Sequence, residues 1–247
     1  MTAPYLLSPR YEFPNVNLAL REPDGLLAVG GDLSLERLKL AYTLGIFPWY
    51  SQGQPILWWS PDPRMTLKPT EVKVSRSLAK TIRSQKFHIT FDQNFNRVIK
   101  SCSESRLEKG QLQNDTWILD DMIDAYINLH QAGYAHSVEC WQGDQLVGGL
   151  YGVAIGKVFF GESMFSRESN ASKVAFVYLC TQLEQWGYQL IDCQVYTAHL
   201  ESLGATLISR DQFSEDLKRY TSDQQYGLWT ADKNLHDIVI NNLKSKT

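Results

Sequence analysis

Three apolar runs separated by glycine turns constrain the fold of this chain more than any other feature. HSVECW (136–141), QLVGGLYGVAI (145–155) and KVFFGESMF (157–165) alternate or run apolar, and Gly143-Asp144 and Gly156-Lys157 mark the boundaries between them. Strands joined by two-residue turns must pair antiparallel, so the pattern predicts a three-stranded meander. A helix follows, with Ser172 as its cap and Phe176, Leu179, Cys180 and Leu183 on one face before Gly187. The remaining order is a strand at 189–194, a short helix at 197–203, a strand at 205–209 and a final helix at 211–220. Such an order suits a mixed sheet with helices on its faces, an α+β layout. Layout alone assigns no chemistry.

Upstream, residues 11–31 read as loop, with Pro14, Pro23 and Gly30-Gly31-Asp32. Ser34 caps a helix bearing Leu35, Leu38 and Tyr42, and Gly45 stops it. Residues 45–64, GIFPWYSQGQPILWWSPDPR, place three tryptophans among four prolines. That proline density predicts an ordered loop with no regular helix or central strand. A strand is expected at 87–91, and His88 within it reads as a strand residue. A helix starting near Asp115 or Thr116 carries Leu119, Met122, Tyr126 and Leu129, with Asp120 and Asp121 in its first turn and Gly133 at its end. His130 and His136 flank that end, where the helix dipole favours a cation.

The net charge of −3 conceals a strong segregation. Residues 64–109 hold eleven Lys/Arg against four Asp/Glu, whereas residues 110–247 hold nine against seventeen. Screening limits the reach of each charge to ~8–10 Å, so a local basic cluster binds phosphate whatever the total. No apolar run approaches the ~20 residues of a membrane span, and MTAPYLLSPR lacks a basic n-region followed by a long apolar stretch, so no signal peptide and a cytoplasmic protein with no membrane partner are expected. The four cysteines are widely spaced, with no C-x-x-C and no histidine at ligand spacing. Reduced thiols are expected, with neither metal nor cofactor.

Three places can carry chemistry. In the aromatic loop a tryptophan serves either the core or a stacking platform, where one base is worth about 1–3 kcal/mol. In the third run Glu162 sits among Phe159, Phe160, Met164 and Phe165, where a buried carboxylate needs a partner. The next turn reads Arg167-Glu168-Ser169-Asn170-Ala171-Ser172 and lacks the glycines of an acetyl-CoA pyrophosphate loop, which disfavours an ordinary acetyltransferase. In IDCQVY (191–196), Asp192 and Gln194 are two apart and share one strand face. No nucleophile–base pair accompanies them. Acyl transfer from an activated ester to an amine needs none, only orientation, loss of the amine proton and support for the oxyanion. Same-face spacing predicts that Asp192 accepts a hydrogen bond from the Gln194 amide and aims its carbonyl at the amine.

LREPDGLLAVGGDLS (20–34), GIFPWY (45–50), ILWWSPDPR (56–64), GYAHSVE (133–139), LVGGLYGV (146–153), GESMFSR (161–167), NASK (170–173), IDCQ (191–194) and SLGA (202–205) together resemble the leucyl/phenylalanyl-tRNA–protein transferase family. The resemblance implies a cytoplasmic enzyme that moves leucine or phenylalanine, and less readily methionine, from aminoacyl-tRNA to an N-terminal Arg or Lys. The product enters the N-degron pathway of protein degradation. It also implies a small N-terminal domain (1–64) and a GCN5-like (GNAT-like) acyltransferase domain (65–247), with the basic segment 64–109 assignable to either. Asp192 and Gln194 would be the catalytic pair, and Trp49 and Trp117 would contact the 3′-terminal adenosine. Leu150, Phe159, Phe176, Leu179, Leu183 and Ile191 would line the pocket for the aminoacyl side chain, with Glu162 near it. Arg76, Lys80 and Arg83 of the basic segment would follow the tRNA backbone without reading sequence.

Two departures from the family pattern stand out. SRLEKGQLQNDTWI replaces a shorter stretch ending in GTWI, and Leu179 and Leu183 occupy positions often aromatic. Rival functions are a peptidoglycan-bridge type of aminoacyl-tRNA ligase and a non-enzymatic tRNA-binding module.

Overall fold

The computed structural model describes residues 3–104, 106–108, 111–113, 118–222 and 227–245. A four-stranded sheet comes first, from β1 (Tyr5–Leu6), β2 (Leu26–Val29), β3 (Phe47–Pro48) and β4 (Leu57–Trp59), in the order β1-β2-β4-β3. Its β4 is an interior strand, antiparallel to both neighbours, which corrects the expectation that the prolines exclude one. Pro48 sits in edge strand β3, and Pro55, Pro61 and Pro63 lie outside the strands. Proline therefore limits positions in this stretch and leaves residues 57–59 free to pair. Trp58 is wholly buried in that interior strand, donates its indole N–H to the Gly30 carbonyl at 2.8 Å and meets Phe13 edge-on.

Helix α1 (Leu35–Thr43) follows β2, and the Asp32 carboxylate accepts the Ser34 N–H at 2.9 Å just before it. At its end Gly45 has φ +75°, and a Cβ there would lie 2.8 Å from the Phe213 ring. Glycine is needed on both counts.

The second sheet has seven strands. They are β5 (Arg64–Leu67), β6 (His88–Phe91), β9 (Ala135–Gln142), β10 (Gln145–Ile155), β11 (Val158–Ser166), β12 (Leu190–Gln194) and β13 (Thr206–Ile208). A separate hairpin, β7 (Arg106–Glu108) and β8 (Gln111–Gln113), falls within the unusual stretch before Trp117. Strand order in the large sheet is β13-β5-β12-β11-β10-β9-β6. The expected meander is β9–β10–β11, and Gly143 and Gly156, both at φ +57°, make its turns. Helix α5 (Ala171–Gln185) then crosses over to β12, which runs parallel to β11. Meander, helix and parallel strand form the mixed sheet with facing helices anticipated from the sequence.

Further helices among the described residues are α2 (Arg76–Arg83), α3 (Phe95–Ser103), α4 (Asp120–Gln131), α6 (Ala198–Ser202) and α7 (Arg210–Tyr220). A last one, α8 (Leu235–Ser245), extends beyond the helix at which the sequence pattern stopped. Helix α4 begins at Asp120, later than Asp115 or Thr116, and residues 114–117 lie outside the described residues. No helix among the described residues is long and apolar enough to cross a membrane. All four cysteines are buried thiols, and no disulfide joins them.

Two hydrophobic clusters cover opposite faces of the large sheet. Tyr151, Val153 and Phe160 point into one with α1, α3 and α4, whereas Leu150, Ala154 and Phe159 point into the other with α2, α5 and α8. Strand alternation produces this division.

Candidate active site

Strands β11 and β12 pair through Phe159↔Ile191 and its two neighbouring pairs, Val158↔Leu190 and Phe160↔Asp192. Beyond them β11 continues to Ser166 and β12 to Gln194 without that pairing, so the sheet opens between its two parallel strands. Two irregularities shape the opening. Opposite β10 the register shifts so that Tyr151 faces Ser163 and Gly152 faces Gly161, which leaves Glu162 as the extra residue of a bulge. On β12 a shift between Asp192 and Gln194 accompanies a positive φ of +62° at Gln194.

The bulge turns Glu162 toward Gln194. The Gln194 amide donates to Glu162 Oε1 at 2.8 Å, and the Tyr126 hydroxyl donates to Glu162 Oε2 at 2.9 Å. Tyr126 also hydrogen-bonds the Tyr42 hydroxyl. Burial of Glu162 raises its carboxyl pKa to about 7, against the opposing pull of the two tyrosine hydroxyls. Asp192 raises it further, and Arg64 lowers it. Burial holds the phenols of Tyr42, Tyr126 and Tyr151 well above their ordinary range, so all three stay neutral.

Asp192 is engaged elsewhere. Both of its oxygens bind the Arg64 guanidinium, at 2.8 Å from Nε and 2.7 Å from Nη2. Oδ1 also accepts the backbone N–H of Gln194 at 2.9 Å. The predicted side-chain bond from Gln194 to Asp192 is therefore replaced: Asp192 holds the Gln194 backbone, and Glu162 holds its amide. The cause is the bulge, because a non-glycine residue at positive φ breaks the simple alternation that the D-x-Q spacing assumes. Arg64 lies between the Phe47 and Phe213 rings, at 4.8 and 4.7 Å from their centroids.

The six apolar residues assigned to the pocket come together. Leu150, Phe159, Phe176, Leu179, Leu183 and Ile191 are all buried in the cluster between the sheet and α5. Glu162 stands apart from them, bonded to a tyrosine of the opposite cluster. Trp49 is 43% exposed, while Trp58 is core. The Trp49 carbonyl accepts the Trp59 indole N–H at 2.6 Å, and the neighbouring Tyr50 donates to Asp121 of α4 at 2.6 Å. Trp117 lies outside the described residues. Arg76, Lys80 and Arg83 are exposed along one face of α2, opposite buried Leu78, Ala79 and Ile82.

Sequence reasoning missed the partners that make the site. Arg64 was one cation in a basic run, and Tyr42 and Tyr126 were apolar helix positions. Nothing local marks a contact made across 128 residues, as between Arg64 and Asp192.

Residues 66–218 match a family model described as leucyl/phenylalanyl-tRNA protein transferase, and residues 31–62 match the model of its N-terminal domain. The leucyl/phenylalanyl-tRNA–protein transferase of Nitrosospira multiformis is 57% identical over 221 residues, covering 89% of this chain and 94% of that protein. That of Ectopseudomonas mendocina is 55% identical over 221 residues, covering 90% and 96%. Among solved structures, the L-PGS from Bacillus licheniformis overlaps 88% of this chain and 72% of its own at 10% identity, with a TM-score of 0.39.

Proposed function

The chain belongs to the leucyl/phenylalanyl-tRNA–protein transferase family, and from that premise we propose how it carries leucine or phenylalanine from aminoacyl-tRNA to the N-terminus of an acceptor protein. It is an aminoacyltransferase. In our reading the acceptors begin with Arg or Lys, methionine is a poorer donor, and the products enter the N-degron pathway. Residues 1–64 present Trp49 to the terminal adenosine, and residues 65–247 carry the transfer.

One observation supports the chemistry most directly: the Gln194 side chain is fixed at the opening between β11 and β12 by Glu162, and its backbone by Asp192. With its N–H2 committed to Glu162, the amide retains a carbonyl oxygen as acceptor. We assign that oxygen to the attacking α-amine. A neutral amide cannot keep a proton near pH 7, so Gln194 orients the amine and polarises its N–H without acting as base. The α-ammonium, with an unperturbed pKa of about 7.7–8.0, first loses one proton to solvent. Its nitrogen then attacks the aminoacyl carbonyl, the C–N bond forms, the ester C–O bond breaks, and the departing ribose oxygen takes a second nitrogen proton. Held in place, the two reactants avoid much of the entropic cost of a bimolecular encounter.

The six-residue apolar cluster would receive the leucyl or phenylalanyl side chain. Alkyl-sized changes in such a pocket shift selectivity by ~1–3 kcal/mol, so Leu179 and Leu183 tune preference without changing the reaction. Labelled Leu-tRNA, incubated with peptides that start with Arg, Lys or Met, tests this reading. Transfer to the Arg and Lys peptides is expected and transfer to the Met peptide is not. Binding of tRNA without transfer to any of them would leave the tRNA-binding module as the better account.

A further inference from the structure

Beyond residue 218, where the family-model match ends, the chain turns back onto the wall of the pocket. Residues 227–245 reach it through three sets of contacts. At the first, the Trp229 ring stacks flat on His136, 3.9 Å between centroids and 3° between planes. It also meets Phe159 at 5.7 Å, Trp186 at 5.0 Å and Tyr188 at 5.9 Å. The Trp229 backbone N–H donates to Asp92 Oδ2 at 2.7 Å, and the same carboxylate binds His136 Nδ1 and the Ser137 N–H, each at 2.8 Å. At the second, Asp232 and buried Gln182 exchange two hydrogen bonds, of 2.8 and 2.9 Å. At the third, His236 bonds the Tyr178 hydroxyl at 2.5 Å and Gln85 at 2.9 Å.

Gln182 and Tyr178 belong to α5, four residues apart, and the same helix supplies Phe176, Leu179 and Leu183 to the apolar cluster. Leu235, Val239 and Leu243 of α8 are buried in that cluster as well. The segment thus holds α5 by two polar hooks and supports Phe159 from behind with an indole, which is large and rigid.

We propose that Trp229 is a specificity-determining positioning residue: it fixes the Phe159 ring, and so the depth of the aminoacyl pocket and the choice between leucine and phenylalanine. The inference rests on the pocket assignment made above. Replacing an indole by a methyl leaves a void that tightly packed neighbours fill only in part. Phe159 then gains room to retreat, and the deepened pocket favours the larger donor side chain.

The test uses the full chain with Trp229→Ala, Trp229→Phe and Phe159→Leu. For each, kcat/KM is measured with Leu-tRNA and with Phe-tRNA on one Arg-initiated peptide, beside thermal unfolding and the Kd for deacylated tRNA. Trp229→Ala is expected to shift the Phe-to-Leu ratio toward Phe by about tenfold, with the Kd unchanged and Trp229→Phe largely restoring the ratio. A merely structural role would lower both donors equally, and an unchanged ratio in folded Trp229→Ala overturns the proposal. If that variant does not fold, Trp229→Leu, which keeps part of the indole's bulk, decides by the same ratio, with no shift toward Phe counting against the proposal. Phe159→Leu separates the two levels. If it leaves the ratio unmoved, the pocket assignment fails and the inference with it; if it shifts the ratio while Trp229 variants do not, the inference alone fails.

Discussion

Asp192 illustrates how one residue can be legible while its role is not. The D-x-Q pair was visible in the sequence, yet Asp192 is fully buried against Arg64, which is 1% exposed and comes from the far end of the aromatic loop. A buried pair loses more when one partner is removed than it gains by existing, because the survivor is left charged in a poor solvent. Arg64→Ala is therefore expected to destabilise the fold by about 3–5 kcal/mol, read from the denaturant midpoint. Asp192→Asn should follow in the same direction. Its effect on transfer must then be measured well below the unfolding transition, or lost folding will pass for lost catalysis.

Glu162, at the same scale, gives a pH signature. Its folded pKa of about 7 exceeds the ordinary 4.5, so between those values the folded state binds more protons than the unfolded one. Stability consequently falls as pH rises across that window, by at most ~1.4 kcal/mol per unit from this group, and levels off above it. Glu162→Gln should remove that slope in a comparison of unfolding free energies from pH 4.5 to 7. In transfer assays the ionised carboxylate is the form that accepts both Gln194 and Tyr126. The wild-type kcat/KM should rise through about pH 7 and again as the α-amine deprotonates, whereas the variant keeps only the second rise.

Elements were legible where their signal was local. The meander, α1 and α5 follow from turn glycines and helical spacing, which neighbours in sequence determine. Helices α2 and α3 went unseen inside the basic stretch, although Leu78 and Ile82 have the i, i+4 spacing of a buried face. Charge masked the period. Strand β5 escaped for another reason: RMTL alternates polar with apolar residues over only four positions, and its polar residues are buried as well, as in a strand covered on both faces. The bulge at Glu162 had no signature either, because its cause lies across the ladder. At Gly152 a Cβ would sit 2.2 Å from the Phe160 carbonyl oxygen and 2.5 Å from the Phe159 ring. That clash falls on the backbone just before the bulge. Gly152→Ala should cost about 1–3 kcal/mol in stability, the range for overpacking, measured by thermal or denaturant unfolding. It should also depress transfer with both donors, since Glu162 is displaced from Gln194.

For the molecule as a whole, the charge segregation is the feature that the structure sharpens most. The basic segment does not spread evenly: Arg64 is consumed internally by Asp192, and Lys86 is paired with Glu168 at 2.8 Å. Arg76, Lys80 and Arg83 remain exposed on one side of α2, each about one turn from the next. Helix α2 packs against α5 and α8 through its opposite, buried face. A basic surface of that kind reads phosphates without reading bases, which suits a donor recognised by its aminoacyl end. Each phosphate contact contributes about 0.7–0.9 to the slope of log affinity against log salt. Charge reversal at all three positions should weaken tRNA binding at about 50 mM salt and flatten that slope by about 2–3 between about 50 and 200 mM. Reversal of exposed Lys218 and Arg219 on α7, within the acidic segment, should leave the slope unchanged. Equal effects from the two sets would mean that net charge alone governs the encounter. Fluorescence anisotropy with deacylated tRNA distinguishes these outcomes, and a slope unaltered by reversal on α2 would remove that helix from the tRNA path.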